Sequence, residues 1–124
     1  ILFLFYTILP SFYPRAEIDI ASLSAQLVEL TRTYDAAHNT FPSGHVTFSW
    51  LMSLALSKTR IAQSQPGLSS LFLLWAIGIS MSTLVIKQHY VVDVISGCML
   101  AFIIFYVIDY FNDYAKGNLL FTIR

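Results

Sequence analysis

The chain is 124 residues long, 56% hydrophobic and 11% charged, with a mean hydropathy of +0.67, too apolar for an ordinary water-soluble domain. Seven basic residues balance seven acidic ones, so the clustered basic face that a nucleic-acid partner requires is not expected. A single cysteine, Cys98, excludes an internal disulfide framework and, inside an apolar run, reads as a small packing residue.

Taken in chain order, residues 1–13 open with "ILFLFYTIL" and read as the end of a spanning helix that begins upstream. Residues 15–43 form an outer loop, within which 22–35 predicts an amphipathic helix: Leu23, Leu27, Leu30 and Tyr34 recur at helical spacing, with Gln26, Glu29 and Arg32 elsewhere on the wheel. Such a helix lies along a membrane interface. A plain packing connector and a lid over the neighbouring residues remain alternatives for it.

Residues 44–58, 69–87 and 90–110 are expected to be transmembrane helices. The stretch "KTRIAQSQPG" separates the first two with charge, Pro66 and Gly67. Each of the longer runs can cross a hydrocarbon core of about 30 Å at about 1.5 Å per residue. Helix is preferred to strand because only a helix satisfies every backbone group within one span. The expected fold class is therefore all-α, a multi-pass transmembrane helical bundle forming one membrane-embedded domain that continues upstream.

Orientation follows from the basic residues. Lys58 and Arg60 occupy the short loop after the 44–58 run, and Lys116 and Arg124 follow the last run. The loop from Pro10 to Asn39 holds four acids against Arg15 and Arg32. By the positive-inside rule the 58–68 loop and the C-terminus are cytoplasmic. His45, Lys87 and His89 then share the opposite, non-cytoplasmic face.

That shared face carries the functional signal. His45 and His89 are 44 residues apart, but one outgoing and one returning span bring both to the same surface. His89 and Asp93 are i and i+4, so on a helix Asp93 can accept the imidazole N–H. Ionisable groups at a membrane span are costly and mark function. Lys87 stands where the positive-inside rule least favours a cation, which suggests an anion to bind.

"PSGH" supplies the other half of an anion site. Pro42 stops any upstream helix, Ser43 is a plausible N-cap, and Gly44 lets the backbone approach closely. The N–H groups at the helix start can then face a phosphate. His45 falls in the first turn, placed to give a proton to a leaving oxygen or take one from an attacking hydroxyl. His38 reads as a loop residue, and a metal site from His38, His45 and His89 lacks ligand spacing. Tyr90 reads as an interface anchor, and Ser96 with Gly97 as a close helix contact.

"PSGH" followed by "S-T-x5-H-x3-D" resembles the second and third signatures of the type 2 phosphatidic acid phosphatase (PAP2) superfamily. The fuller strings "YDAAHNTFPSGHV", with Asp35, Asn39 and Phe41, and "KQHYVVDVISG" look closest to the branch of inositol phosphorylceramide synthases and related bacterial membrane proteins. The likeness covers roughly Arg15 to Gly97. It implies that His89 is the nucleophile and forms a phosphohistidine, that Asp93 orients it, and that His45 protonates the leaving alcohol. Ser43 and Gly44 would bind phosphate oxygens, and no metal or other cofactor is implied.

The sequence departs from the pattern at two signatures. Thr83 replaces the arginine expected after Ser82, and Lys87, one helical turn on, would supply the missing charge without arginine's bidentate fork. In the first signature Ile8 stands where a lysine should be and Ala16 where a proline should be. Arg15 reads either as its remnant or as a snorkelling interfacial arginine. The phosphate-binding set expected is thus Ser43, Gly44, Lys87, Arg15 and Thr83. The function expected is a membrane lipid phosphatase or phosphotransferase acting on a phospholipid or isoprenoid phosphate, with membrane lipids as its other partners. Its alternative is a non-catalytic scaffold of the same fold.

Overall fold

The computed structural model of the chain describes residues 1–12, 14–15, 17–34 and 40–122, with backbone only at Pro66 and 116–122. Asp35, His38, Asn39, Ala16 and Arg124, and the side chain of Lys116, therefore lie outside the described residues. The described architecture is all-α: α1 (Leu2–Ile8), α2 (Leu23–Tyr34), α3 (Gly44–Ser57), α4 (Arg60–Ser64), α5 (Pro66–Val85) and α6 (Val91–Thr122).

Local chemistry explains the helix ends. Ser43 caps α3, its Oγ accepting from the Val46 N–H at 3.5 Å, and Thr59 caps α4 by accepting from the Ala62 N–H at 3.3 Å. Pro66 opens α5 at the position where a missing N–H costs nothing, so α5 starts three residues before the expected 69. It also ends earlier than the expected 87. The N–H of Gln88 donates to Thr83 O and that of Lys87 to Leu84 O, both at 3.0 Å, and Lys87 takes φ 55°. This is a Schellman motif with lysine in the left-handed position that glycine usually fills.

α6 runs well past the expected 110, because nothing between Asp109 and Lys116 breaks a helix. The segments Gly67–Val85 and Val91–Ala115 are long and apolar enough to cross a membrane. Their large apolar side chains, Leu74, Trp75, Val85, Ile95 and Ile103 among them, point outward rather than into a core, as suits a lipid solvent. α3 has 14 residues, a rise of about 21 Å against a hydrocarbon core of about 30 Å.

α3 is the centre of the bundle and packs on both α5 and α6. Hydroxyls and an indole tie it to α5. Ser53 Oγ donates to Phe72 O at 2.8 Å, and Trp50 Nε1 to Ser80 Oγ at 3.0 Å, bonds that have no competing water in an apolar setting. The interior consists of small side chains, with Val46, Ala62, Ala76 and Ala101 buried beside Pro42, Ser43 and Thr47. At the far end of α3, Lys58 Nζ pairs with Asp109 Oδ2 of α6 at 3.0 Å.

The amphipathic helix occupies 23–34, within the expected 22–35. Its leucine stripe faces away from the protein, Leu23 being 73% exposed, whereas Arg32 on the other side is only 8% exposed. The Arg32 guanidinium reaches Ile86 O at 3.5 Å, and Arg15 Nη1 donates to Arg32 O at 2.9 Å. α2 is therefore held to the bundle by its polar side and offers its apolar side outward.

Candidate active site

Two segments from different helices build the site. The first is the turn ahead of α3. Its backbone, with a cis peptide between Phe41 and Pro42, is pinned from two sides: Tyr6 Oη donates to Pro42 O at 3.1 Å, and the Ser43 N–H donates to Asp93 O at 3.1 Å. The second is the turn between α5 and α6, set by the Schellman motif at one end. At the other, Asp93 Oδ2 accepts from the Tyr90 N–H at 2.9 Å, reaching back across the helix start as in a capping box.

Gly97, one turn beyond Asp93, permits the two segments to meet. A Cβ there would lie 2.7 Å from Ser43 O and 3.1 Å from Thr47 Oγ1. The expected close contact at Gly97 is present, and its partner is the turn that carries His45.

His45 and His89 face each other with ring centroids 6.2 Å apart and planes inclined at 64°. Their environments differ. His45 is exposed, while His89 is 8% exposed and has Asp93, 3% exposed, behind it. The His89 Nδ1 to Asp93 Oδ2 separation is 3.6 Å. His89 precedes α6 rather than lying on it, so this pairing comes from the tight turn and not from helical i,i+4 stacking.

The rings open onto a cavity of about 970 Å³ between α3 and α5. Its polar end is lined by Tyr6, Arg15, Thr40, Gly44, His45, Gln88 and His89. Its remainder is mostly apolar, with Met52, Leu56, Leu71, Phe72, Trp75 and Ile79 beside Ser49 and Ser53, whose hydroxyls donate to backbone carbonyls. From His45 to Leu56 the lining descends α3 for about 17 Å. The N–H groups of Gly44 and His45 belong to the first turn of α3, where no intrahelical carbonyl can receive them, and the helix dipole there favours an anion.

Of the expected residues, the structure gathers His45, His89, Gly44 and Arg15 at the cavity, with Asp93 directly behind His89. Three others sit elsewhere. Ser43 is fully buried, its Oγ and N–H engaged with Val46 and Asp93, so it positions the turn. Thr83 is buried and its Oγ1 donates to Ser80 O at 2.8 Å. Lys87 is exposed and outside the lining. The expected stacking of Lys87 one turn above Thr83 does not occur, because the left-handed φ at Lys87 ends the helix first.

Sequence reasoning missed Gln88 and Arg32. Gln88 lines the cavity beside His89, and only its adjacency to the histidine pointed there. The burial of Arg32 was signalled by its place on the wheel opposite the leucines. A family model described as the PAP2 superfamily matches residues 2–116. No curated protein and no solved structure matches the chain.

Proposed function

The chain belongs to the PAP2 superfamily, whose members are generally phosphatases, and from that premise we propose that it is a membrane-embedded lipid phosphatase or phosphotransferase acting through a phosphohistidine. The observation that carries this reading is the opposition of His45 and His89 at 6.2 Å across the cavity's polar end. In-line displacement needs the nucleophile opposite the leaving oxygen and a proton donor within reach of that oxygen, at about 3–3.5 Å. At 6.2 Å the two rings are in edge contact, so the phosphoryl group would sit beside the pair at the cavity's polar end, within reach of both.

In this mechanism the proton on His89 Nδ1 faces Asp93, and the unprotonated Nε2 is the atom that attacks. The N–P bond forms as the P–O bond to the lipid alcohol breaks, and His45 gives its proton to the departing oxygen. Water or an acceptor alcohol then attacks phosphorus. His45 takes its proton, the N–P bond breaks and His89 is restored. Arg15 and the first N–H groups of α3 neutralise the phosphoryl oxygens throughout. The exposure of His45 suits a group that must exchange protons with solvent, and the burial of His89 suits a nucleophile that must be shielded from it.

The apolar remainder of the cavity favours a substrate with a long hydrocarbon tail, an acyl or isoprenoid chain bearing the phosphate. Lys58 and Arg60 at the opposite end of α3 favour a site on the non-cytoplasmic face. The likeness to inositol phosphorylceramide synthases extends the proposal to transfer onto an acceptor lipid.

Phosphate release from a panel of lipid phosphates by the full-length protein, beside His89→Ala, tests the reading. Release by the parent and none by the variant is the expected result. Should neither release phosphate nor transfer a head group to an acceptor lipid, the scaffold reading takes its place. Thr83 in the arginine's position and Lys87 outside the cavity are the observations that favour that second reading.

A further inference from the structure

The Schellman turn delivers two consecutive side chains to the cavity, His89 and the residue before it. Gln88 is 6% exposed, unusual for a residue type that is mostly found at the surface. Its backbone N–H is already used by Thr83 O. Its side-chain Nε2 is shut from solvent and has no hydrogen-bond partner among the described residues. A buried amide donor left unmade is costly, and native proteins rarely keep one without a use.

Two hydroxyl-bearing neighbours in the lining differ in this respect. Tyr6 Oη donates to Pro42 O, and Thr40 Oγ1 donates to Ser11 Oγ at 3.2 Å. Both hydroxyl protons are spent within the protein, whereas the Gln88 amide proton is not.

We infer that Gln88 is a substrate-binding residue whose side-chain amide, closed to solvent as it stands, turns about its terminal torsion to donate to an oxygen of a phosphoryl group at the cavity's polar end beside His45 and His89. This rests on the proposed phosphoryl chemistry and adds to it a neutral donor that fixes the group's orientation without adding charge. A carboxylate of the same shape would repel the anion, and an apolar side chain of the same length would remove both the bond and the unmade donor.

The test uses the full-length protein, inorganic phosphate as the probe, and the variants Gln88→Met and Gln88→Glu. Phosphate binding is followed by the rise in unfolding temperature it causes, and KM and kcat are measured on whichever lipid phosphate the parent cleaves. Gln88→Met is expected to weaken phosphate binding about tenfold, the worth of one hydrogen bond to a charged group, and to raise KM while retaining kcat. Gln88→Glu is expected to weaken binding further. Without phosphate, Gln88→Met should unfold at or above the parent's temperature. Phosphate binding by Gln88→Met equal to the parent's would overturn the inference, as would an unliganded unfolding temperature that falls while affinity is kept. If the parent cleaves nothing yet binds phosphate in a Gln88-dependent way, the catalytic reading fails and this assignment stands. If the parent binds no phosphate, both fall.

Discussion

The carbonyl oxygen of Ser43 lies 2.7 Å from where a Cβ on Gly97 would sit. Ser43 belongs to the turn that presents His45, and Gly97 lies one helical turn after the Asp93 that backs His89. The spacing between the two histidines is therefore set by how closely α6 can approach that turn.

Gly97→Ala should push α6 away, since the obstruction is backbone and cannot swing aside. Overpacking of this kind costs about 1–3 kcal/mol. A shift of about 1 Å at the reacting groups lowers kcat by about 10²-fold. Thermal unfolding and lipid-phosphate hydrolysis on the same preparation check both effects. Unchanged kcat would mean that the histidine spacing does not depend on this contact.

His89→Ala and His45→Ala should differ in kind. On the proposed mechanism, loss of His89 abolishes turnover and leaves no phosphoryl group on the protein. Loss of the proton donor lowers the rate by about 10²–10⁴-fold while His89 can still be phosphorylated by a substrate with a good leaving group. Trapping acid-labile phosphohistidine from such a substrate separates the two, and label on His89→Ala with none on His45→Ala would reverse the assignment.

Asp93 has two tasks, capping the Tyr90 N–H and facing His89 Nδ1, and two substitutions separate them. Asp93→Asn keeps an oxygen for the cap and removes the charge, so stability should hold within about 0.5 kcal/mol while kcat falls at least about tenfold. Asp93→Ala should lose about 1 kcal/mol of stability as well. A fully active Asp93→Asn would leave Asp93 with the cap alone.

Lys87 occupies a left-handed conformation, which glycine adopts freely and β-branched residues resist. Lys87→Gly should match or exceed the parent in stability, and Lys87→Val should fall below Lys87→Gly by about 1 kcal/mol or more. Because Lys87 is exposed and outside the cavity, Lys87→Gly should leave KM for a lipid phosphate within about twofold, where loss of an ion contact would cost several-fold. A large rise in KM would return Lys87 to the phosphate-binding set.

Much of this molecule was readable because it depends on neighbours in sequence. The apolar lengths of α5 and α6, the Ser43 cap and the leucine stripe of α2 are all written within one or two helical turns. The matching pair of motifs around His45 and His89 carried the family and the convergence of the two rings. The expectation that Lys87 would stack over Thr83 failed because it required the helix to continue, and one backbone angle decided otherwise. Gly97 was legible as a close contact, but its partner, Ser43, was not. Nor was the choice of Ile86 as the partner of Arg32, or the burial of Gln88 beside the cavity. These depend on which faces of distant segments meet, and side-chain burial follows from that meeting. Local patterning yields the helices and the histidines and carboxylate in and beside them; which of these meet at one cavity depends on packing across tens of residues, which sets distances that no local pattern encodes.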